Sequence, residues 1–408
     1  AGVNGTPRGI YKTSWNNIGP RLGFNWDPWN SGRTMIRGGF GLFYDRPVTN
    51  STRNQAASPP FVRTVDIATG SVDNPGGGTA STAPPGGFDA LATDFPMPRV
   101  YAYSFGMQRE LPWNIGADVS YVGNKARHLL RVRELNFVTP DAVTGLAPTP
   151  INANRPYRGF GRIILHETSA RSDYDSLQVS IRRSYADLSF GIAYTLSRSR
   201  GNADSEDSAS SGSLPQDPRN LGAEYGFQDF DRKHVLAVNY IYRLPFFRSQ
   251  EGLAARTLGG WEVSGVTRYY TGRRLTVTAG TNTSIFGDQI TLRANYVPGQ
   301  DPNAAPAGGR TQDHWLNTAA FARPAAGQLG TAPRNGIVGP SYFNTDLSLF
   351  KDIPLAAKSK VQLRVEVFNV FNKKNYRSID TNMTSTRFGA VTDFEPPRIM
   401  QLGAKYTF

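Results

Sequence analysis

The chain closes on Arg398-Ile-Met-Gln-Leu-Gly-Ala-Lys-Tyr-Thr-Phe408, and the fold is decided there. Met400, Leu402, Ala404, Tyr406 and Phe408 fall on one side, and Gln401, Gly403, Lys405 and Thr407 on the other. A period of two is that of a β-strand. A last strand that is apolar on one face, polar on the other and stops on an aromatic residue suits the closing strand of an outer-membrane barrel. Hydrocarbon lies on one side of such a strand and water on the other. On this reading Leu402, Ala404, Tyr406 and Phe408 form the C-terminal signal for the barrel-assembly machinery. One edge strand of a soluble sheet would alternate in the same way, so the pattern has to repeat elsewhere.

Just upstream, Val361, Leu363, Val365 and Val367 alternate with Gln362, Arg364, Glu366 and Phe368. Further back the alternation returns at 345–349, 261–270, 236–242, 188–196, 177–181, 113–121, 101–107, 36–44 and 22–26. Short turns join these segments in pairs, as at Asn30–Arg33, Tyr185–Asp187 and Pro354–Ser359. Long loops near 46–97, 123–172, 200–231, 271–342 and 372–397 separate the pairs, with Leu275-Thr-Val277 read as an outward extension of the preceding strand. About eleven strands emerge, each near the nine to eleven residues that cross a bilayer at a tilt. The expected fold is all-β: an antiparallel up-and-down transmembrane barrel with periplasmic turns and exterior loops. The first strand then descends, the eleventh descends too, and Phe408 reaches the periplasm.

The aromatic residues agree. Trp26, Trp29, Trp113, Tyr242, Phe246, Trp261, Tyr406 and Phe408 sit near the short-turn ends. Tyr44, Tyr101, Tyr121, Tyr194, Tyr269 and Tyr270 sit near the long-loop ends. Two membrane interfaces would select two such belts. An odd strand count leaves two unpaired edges. Residues 1–408 are therefore expected to be the C-terminal half of a larger barrel. Ala1-Gly-Val-Asn-Gly5, with neither an initiator Met nor a signal peptide, reads as a truncation.

Composition fits. Hydrophobic residues make up 39% of the chain, and no window holds the run of apolar residues that a membrane helix needs. Low hydropathy is compatible with a barrel, because half of each strand faces water. Cysteine is absent, which removes disulfides and thiolate metal sites. The net charge of +13 comes from scattered Lys and Arg without a basic tract. That points to lipopolysaccharide, other anionic headgroups or an anionic solute, and away from nucleic acid.

Several phrases resemble the Oar-like branch of TonB-dependent outer-membrane receptors. They are Ile36-Arg-Gly-Gly-Phe-Gly-Leu-Phe-Tyr-Asp45, Asp229-Phe-Asp-Arg-Lys-His234 with Tyr242-Arg-Leu-Pro245, Asp346-Leu-Ser-Leu-Phe-Lys351 and Val367-Phe-Asn-Val-Phe-Asn372. Arg293, Asn295, Trp315, Asn317, Phe321, Arg334-Asn335 and Gly339-Pro340 in the long loop are similar to that family's loop pattern. The resemblance implies a barrel of twenty-two strands, of which these are the last eleven. It also implies a plug and a TonB-contacting segment upstream. Its function would be uptake of a scarce solute past a plug that TonB displaces. A passive porin or adhesion barrel, and a soluble secreted β-sandwich or propeller binding glycans, are the alternatives.

No catalytic motif appears, and no enzyme chemistry or cofactor is expected. His128, His166, His234 and His314 are widely spaced and lack zinc-site spacing. The acidic loop with Asp204, Glu206, Asp207, Asp217, Asp229 and Asp231 has oxygen ligands for calcium but no EF-hand spacing; a solvated loop is the plainer reading. Arg37, Arg182, Arg364 and Glu366 are candidates to line the lumen, where paired charges would stabilise a polar interior or meet a solute or plug.

Overall fold

Alternation along one strand becomes a two-faced sheet only if the register of every neighbouring strand preserves it. The computed structural model describes residues 11–12, 14–46, 62, 71–74, 78, 86–204, 214–356 and 359–408. Among these residues eleven strands form one antiparallel meander, each paired with the next. They are β1 (Arg21–Trp26), β2 (Thr34–Tyr44), β3 (Arg99–Leu111), β4 (Ile115–Glu134), β5 (Ile163–Tyr185) and β6 (Leu188–Gly201). β7 (His234–Arg243), β8 (Trp261–Tyr270), β9 (Tyr342–Ala356), β10 (Ser359–Phe368) and β11 (Ile399–Thr407) complete it.

Trp26, Ile36, Met107, Val119, Val179, Tyr194, Leu236, Tyr269 and Phe343 are successive register partners from β1 to β9, and all are apolar or aromatic. One residue away, Asn25, Arg37, Gly106, Ser120, Gln178 and Thr195 form a small or polar row. Trp26 abuts a short turn, whereas Phe343 stands at the long-loop end of β9. The row therefore climbs as it crosses the sheet, which is the stagger that tilts barrel strands.

The apolar face is uncovered. Phe105 is 58% exposed, Leu402 78% and Phe408 93%. A soluble sandwich would press such faces together into a core. Here the buried apolar clusters lie in the loops and strand extensions beyond the spanning segments. Tyr406 and Phe408 stack with ring centroids 5.9 Å apart. Thr407 pairs with Lys360, just past the turn between β9 and β10, so Phe408 stands at the short-turn rim. The turns themselves are locally determined. Asp27 Oδ1 and Oδ2 accept from the N–H groups of Trp29 and Gly32, at 3.2 and 2.6 Å, folding the chain back between β1 and β2.

The loops depart from the sequence reading. Both ends of the 123–172 region are strand: β4 continues to Glu134 and β5 starts at Ile163, with the register broken near His128, whose φ is 58°. β6 runs on to Gly201, and Gly226–Phe227 pairs with its end. Within 46–97, Phe88–Leu91 adds to β5 in parallel. Leu275 does not extend β8. Arg274–Leu275 pairs instead with Ile337–Val338 in a separate ribbon. The loop near 372–397 contains the hairpin Tyr376–Ile379 with Val391–Phe394. The sequence of these strands carries no sustained alternation, because outside the membrane no hydrocarbon enforces it. Most of loop 46–97, together with Ala1–Gly5, Glu206 and Asp207, lies outside the described residues.

Candidate functional site

At the long-loop end, segments far apart in sequence bury a shared core. Val277, Trp315, Phe321 and Ile337 of the 271–341 loop pack with Ile379 and Val391 of the next one. Ile285 and Phe286 pack with Phe137, from the connection between β4 and β5. A loop that builds its own core holds polar groups at fixed positions, as a binding surface must.

Charged groups lock the assembly. Arg293 Nη1 donates to both oxygens of Glu224 at 2.9 Å, and both residues are buried. Gln216 closes the network: its N–H donates to Glu224, its Oε1 accepts from Arg293 N and its Nε2 donates to Gly330 O. Arg334 donates to the carbonyls of Glu224 and Gly201 and pairs with Asp204. On the other side, Glu134 accepts from the N–H groups of Asn136 and Ile163 and from Arg162. Burial nevertheless raises its pKa, against the pull of those donors.

Between the 202–231 and 271–341 loops lies a cleft of about 350 Å³, lined by Arg131, Asp204, Glu224, Arg293 and Arg334 among others. That is the size of a small-ligand site. Arg131 is 3% exposed. Burial, offset in part by Glu167 and Glu224, lowers its pKa, but a guanidinium stays charged in a protein.

The register puts Arg37, Arg182, Arg364 and Glu366 on the polar face: Arg182 partners Gly116 and Gly191, and Arg364 partners Phe350 and Gly403. They do not form one cluster. Arg37 pairs with Asp118 at 2.5 Å, and Arg364 Nε donates to Gln362 at 2.9 Å. The described acidic residues of that loop are spent on arginines: Asp204 on Arg334, Asp217 on Arg219, Asp229 on Arg273 and Asp231 on Arg274. Among the described residues no group of acidic or histidine side chains could hold a metal ion. The histidines have separate partners. His128 contacts Arg99, His166 pairs with Asp89, and His234 Nδ1 lies 2.8 Å from the Tyr194 hydroxyl.

The sheet thus has an uncovered apolar band, a polar opposite face and a packed exterior cap. The sequence model of the outer membrane beta barrel domain matches residues 1–401. The chain belongs to this family. It is an outer-membrane barrel protein of the Gram-negative envelope. Its backbone resembles the outer membrane transporter YddB of Escherichia coli, with a TM-score of 0.53, 12% identity and 95% of the chain covered. Weaker likenesses reach the siderophore receptor PirA of Acinetobacter baumannii (TM-score 0.46, 11% identity, 95% covered) and the FrpB iron transporter of Neisseria meningitidis (TM-score 0.44, 12% identity, 96% covered). At such identities the likeness is one of fold. The barrel chain spans 40% of the length of YddB and PirA and 39% of FrpB. No curated protein matches it.

The cleft residues Arg131, Glu224, Arg293 and Arg334 were not singled out together by sequence. The usable signal was Leu130-Arg-Val-Arg-Glu134, where charged and apolar residues alternate beyond the expected end of the strand. The pairing of Glu224 with Arg293 leaves no local trace.

Proposed function

We propose that the chain is the barrel portion of an Oar-like TonB-dependent receptor for uptake of a solute. One observation carries this reading: two apolar clusters join three loop regions, and a buried polar network joins the fourth to them around a ligand-sized cleft. A passive pore has no use for so much buried structure above its mouth.

The C-terminal-half architecture is part of the same proposal. β1 and β11 end the strand order with neither paired to the other. In an eleven-strand meander these two run in the same direction, so direct closure would be a parallel pair. Closure by antiparallel pairs requires an odd number of further strands, and eleven more give the even total of bacterial barrels. A plug would fill so wide a lumen, with Arg37, Arg182, Arg364 and Glu366 facing it. TonB would act through that upstream region. Phe408, Tyr406, Ala404 and Leu402 would engage the assembly machinery. Lipopolysaccharide would meet Lys125, Arg127 and Arg171, which stand on the apolar face's side above the tyrosine belt.

The test is solute uptake by cells carrying the full-length protein, with and without TonB and with a protonophore. The reading requires uptake that needs both TonB and the proton-motive force. Uptake insensitive to either would mark a passive porin.

A further inference from the structure

We propose that the loop cleft is a binding site for an oxyanion, a carboxylate or phosphate group received by Arg131. This deepens the uptake reading by naming the chemistry of what the loops hold, although binding itself does not depend on transport.

Arg131 is 3% exposed, lines the cleft, and neither its Nε nor its Nη1 has a hydrogen-bond partner. Among the described residues, every carboxylate nearby is already engaged. Glu224 takes both bonds from Arg293, Asp204 pairs with Arg334, Asp229 with Arg273, and Glu167 with Arg133 at 2.9 Å. Among the described residues Arg131, 3% exposed, is thus left without a carboxylate of its own in the cleft wall. Arg293 Nε also lacks a partner. A buried guanidinium left without an acceptor is costly, and folding has no reason to keep one unless something else supplies the acceptor. The unused N–H groups of Nε and Nη1 lie on different edges of the guanidinium, so each offers a separate charge-assisted hydrogen bond to an oxyanion. The hydroxyls of Thr278 and Thr291 in the cleft wall offer further donors.

The experiment uses the purified full-length protein in detergent, titrated calorimetrically with citrate, inorganic phosphate and lipopolysaccharide. Wild type is compared with Arg131→Gln and Arg131→Lys, and each ligand-free protein is melted in parallel. Saturable binding of at least one probe is expected, weakened at least about tenfold in Arg131→Gln and less in Arg131→Lys. Binding of citrate or phosphate points to a soluble anion; binding of lipopolysaccharide alone assigns the site to a lipid headgroup phosphate. Ligand-free Arg131→Gln should melt no lower than wild type, since it loses an unpartnered charge. Two results overturn the site: no Arg131-dependent binding of any probe up to on the order of 10 mM, or an Arg131→Gln protein that melts lower and binds unchanged. Cells that fail to import while the purified protein still binds citrate would sink the uptake reading and leave the site standing.

Discussion

Gly145 and Gly327 meet backbone to backbone, each in the left-handed region at φ 67° and 75°. A Cβ on Gly145 would collide with the Gly327 carbonyl, and one on Gly327 with that of Thr144. This contact sets the 135–162 loop against the 271–341 loop. Gly145→Ala or Gly327→Ala should therefore loosen the cap by about 1–3 kcal/mol, because each adds a clash to a conformation that favours glycine. Amide exchange should speed up in both loops while β4 and β5 near their short turns stay protected. Equal deprotection of strands and loops would contradict the contact's local role.

The Glu224–Arg293 pair gives a second test. Glu224→Leu leaves Arg293 buried without its carboxylate, at a cost of roughly 3–5 kcal/mol. Adding Arg293→Met should recover much of that loss, since an apolar pair of similar bulk no longer carries a stranded charge. Thermal melts of the four proteins in the cycle measure it. A double variant as unstable as the sum of the singles would show that the pair is not coupled.

Asp141 gives a pH dependence. Its Oδ1 accepts from Thr144 N at 2.8 Å, from Thr144 Oγ1 at 3.0 Å and from Val143 N at 3.0 Å. These bonds, that of Thr144 N foremost, hold its pKa below the ordinary aspartate value. A lowered folded pKa means that the turn's extra stability is present above about pH 4 and is lost as pH falls through the folded value. Exchange at Val143 and Thr144 should accelerate across that acid window beyond the intrinsic chemical rate, and Asp141→Asn should flatten the effect. A wild-type profile indistinguishable from Asp141→Asn would refute the linkage.

Phe408 stands 93% exposed at the short-turn rim, stacked on Tyr406. If assembly machinery reads this terminus, Phe408→Ala should lower the amount of protein in the outer membrane while melts of the assembled fraction barely change. A lower melting point with normal yield would make the residue structural instead.

What was legible in the sequence follows the membrane. Val179 and Ile181 alternate with Gln178 and Ser180 because lipid and water impose it, and the register confirms the faces across the sheet. Beyond the bilayer that constraint ends. Lys125 to Glu134 belongs to a strand whose two faces both meet protein or water, and its alternation slips at Leu129-Leu130, so the period does not run on from the spanning part. The cap's core draws single apolar residues such as Val277, Trp315 and Val391 from separate segments, which no short window can connect. Arg131 is functional on our proposal because of what fails to pair with it, and sequence does not record a missing partner.

The central claim is that one face of this sheet meets hydrocarbon and the other water. Residues 1–408 contain no cysteine, so single cysteines at positions 177 to 182 of β5 are unique labelling sites within them, in a protein cleared of any cysteine elsewhere. Spin labels there, in the full-length protein in bilayers, can be relaxed by oxygen from the lipid phase or by a nickel chelate from water. Labels replacing Leu177, Val179 and Ile181 should respond to oxygen, and those replacing Gln178, Ser180 and Arg182 to nickel, in strict alternation. Labels at Leu177, Val179 and Ile181 that are shielded from both relaxants would place that face in a dry protein core and contradict the account.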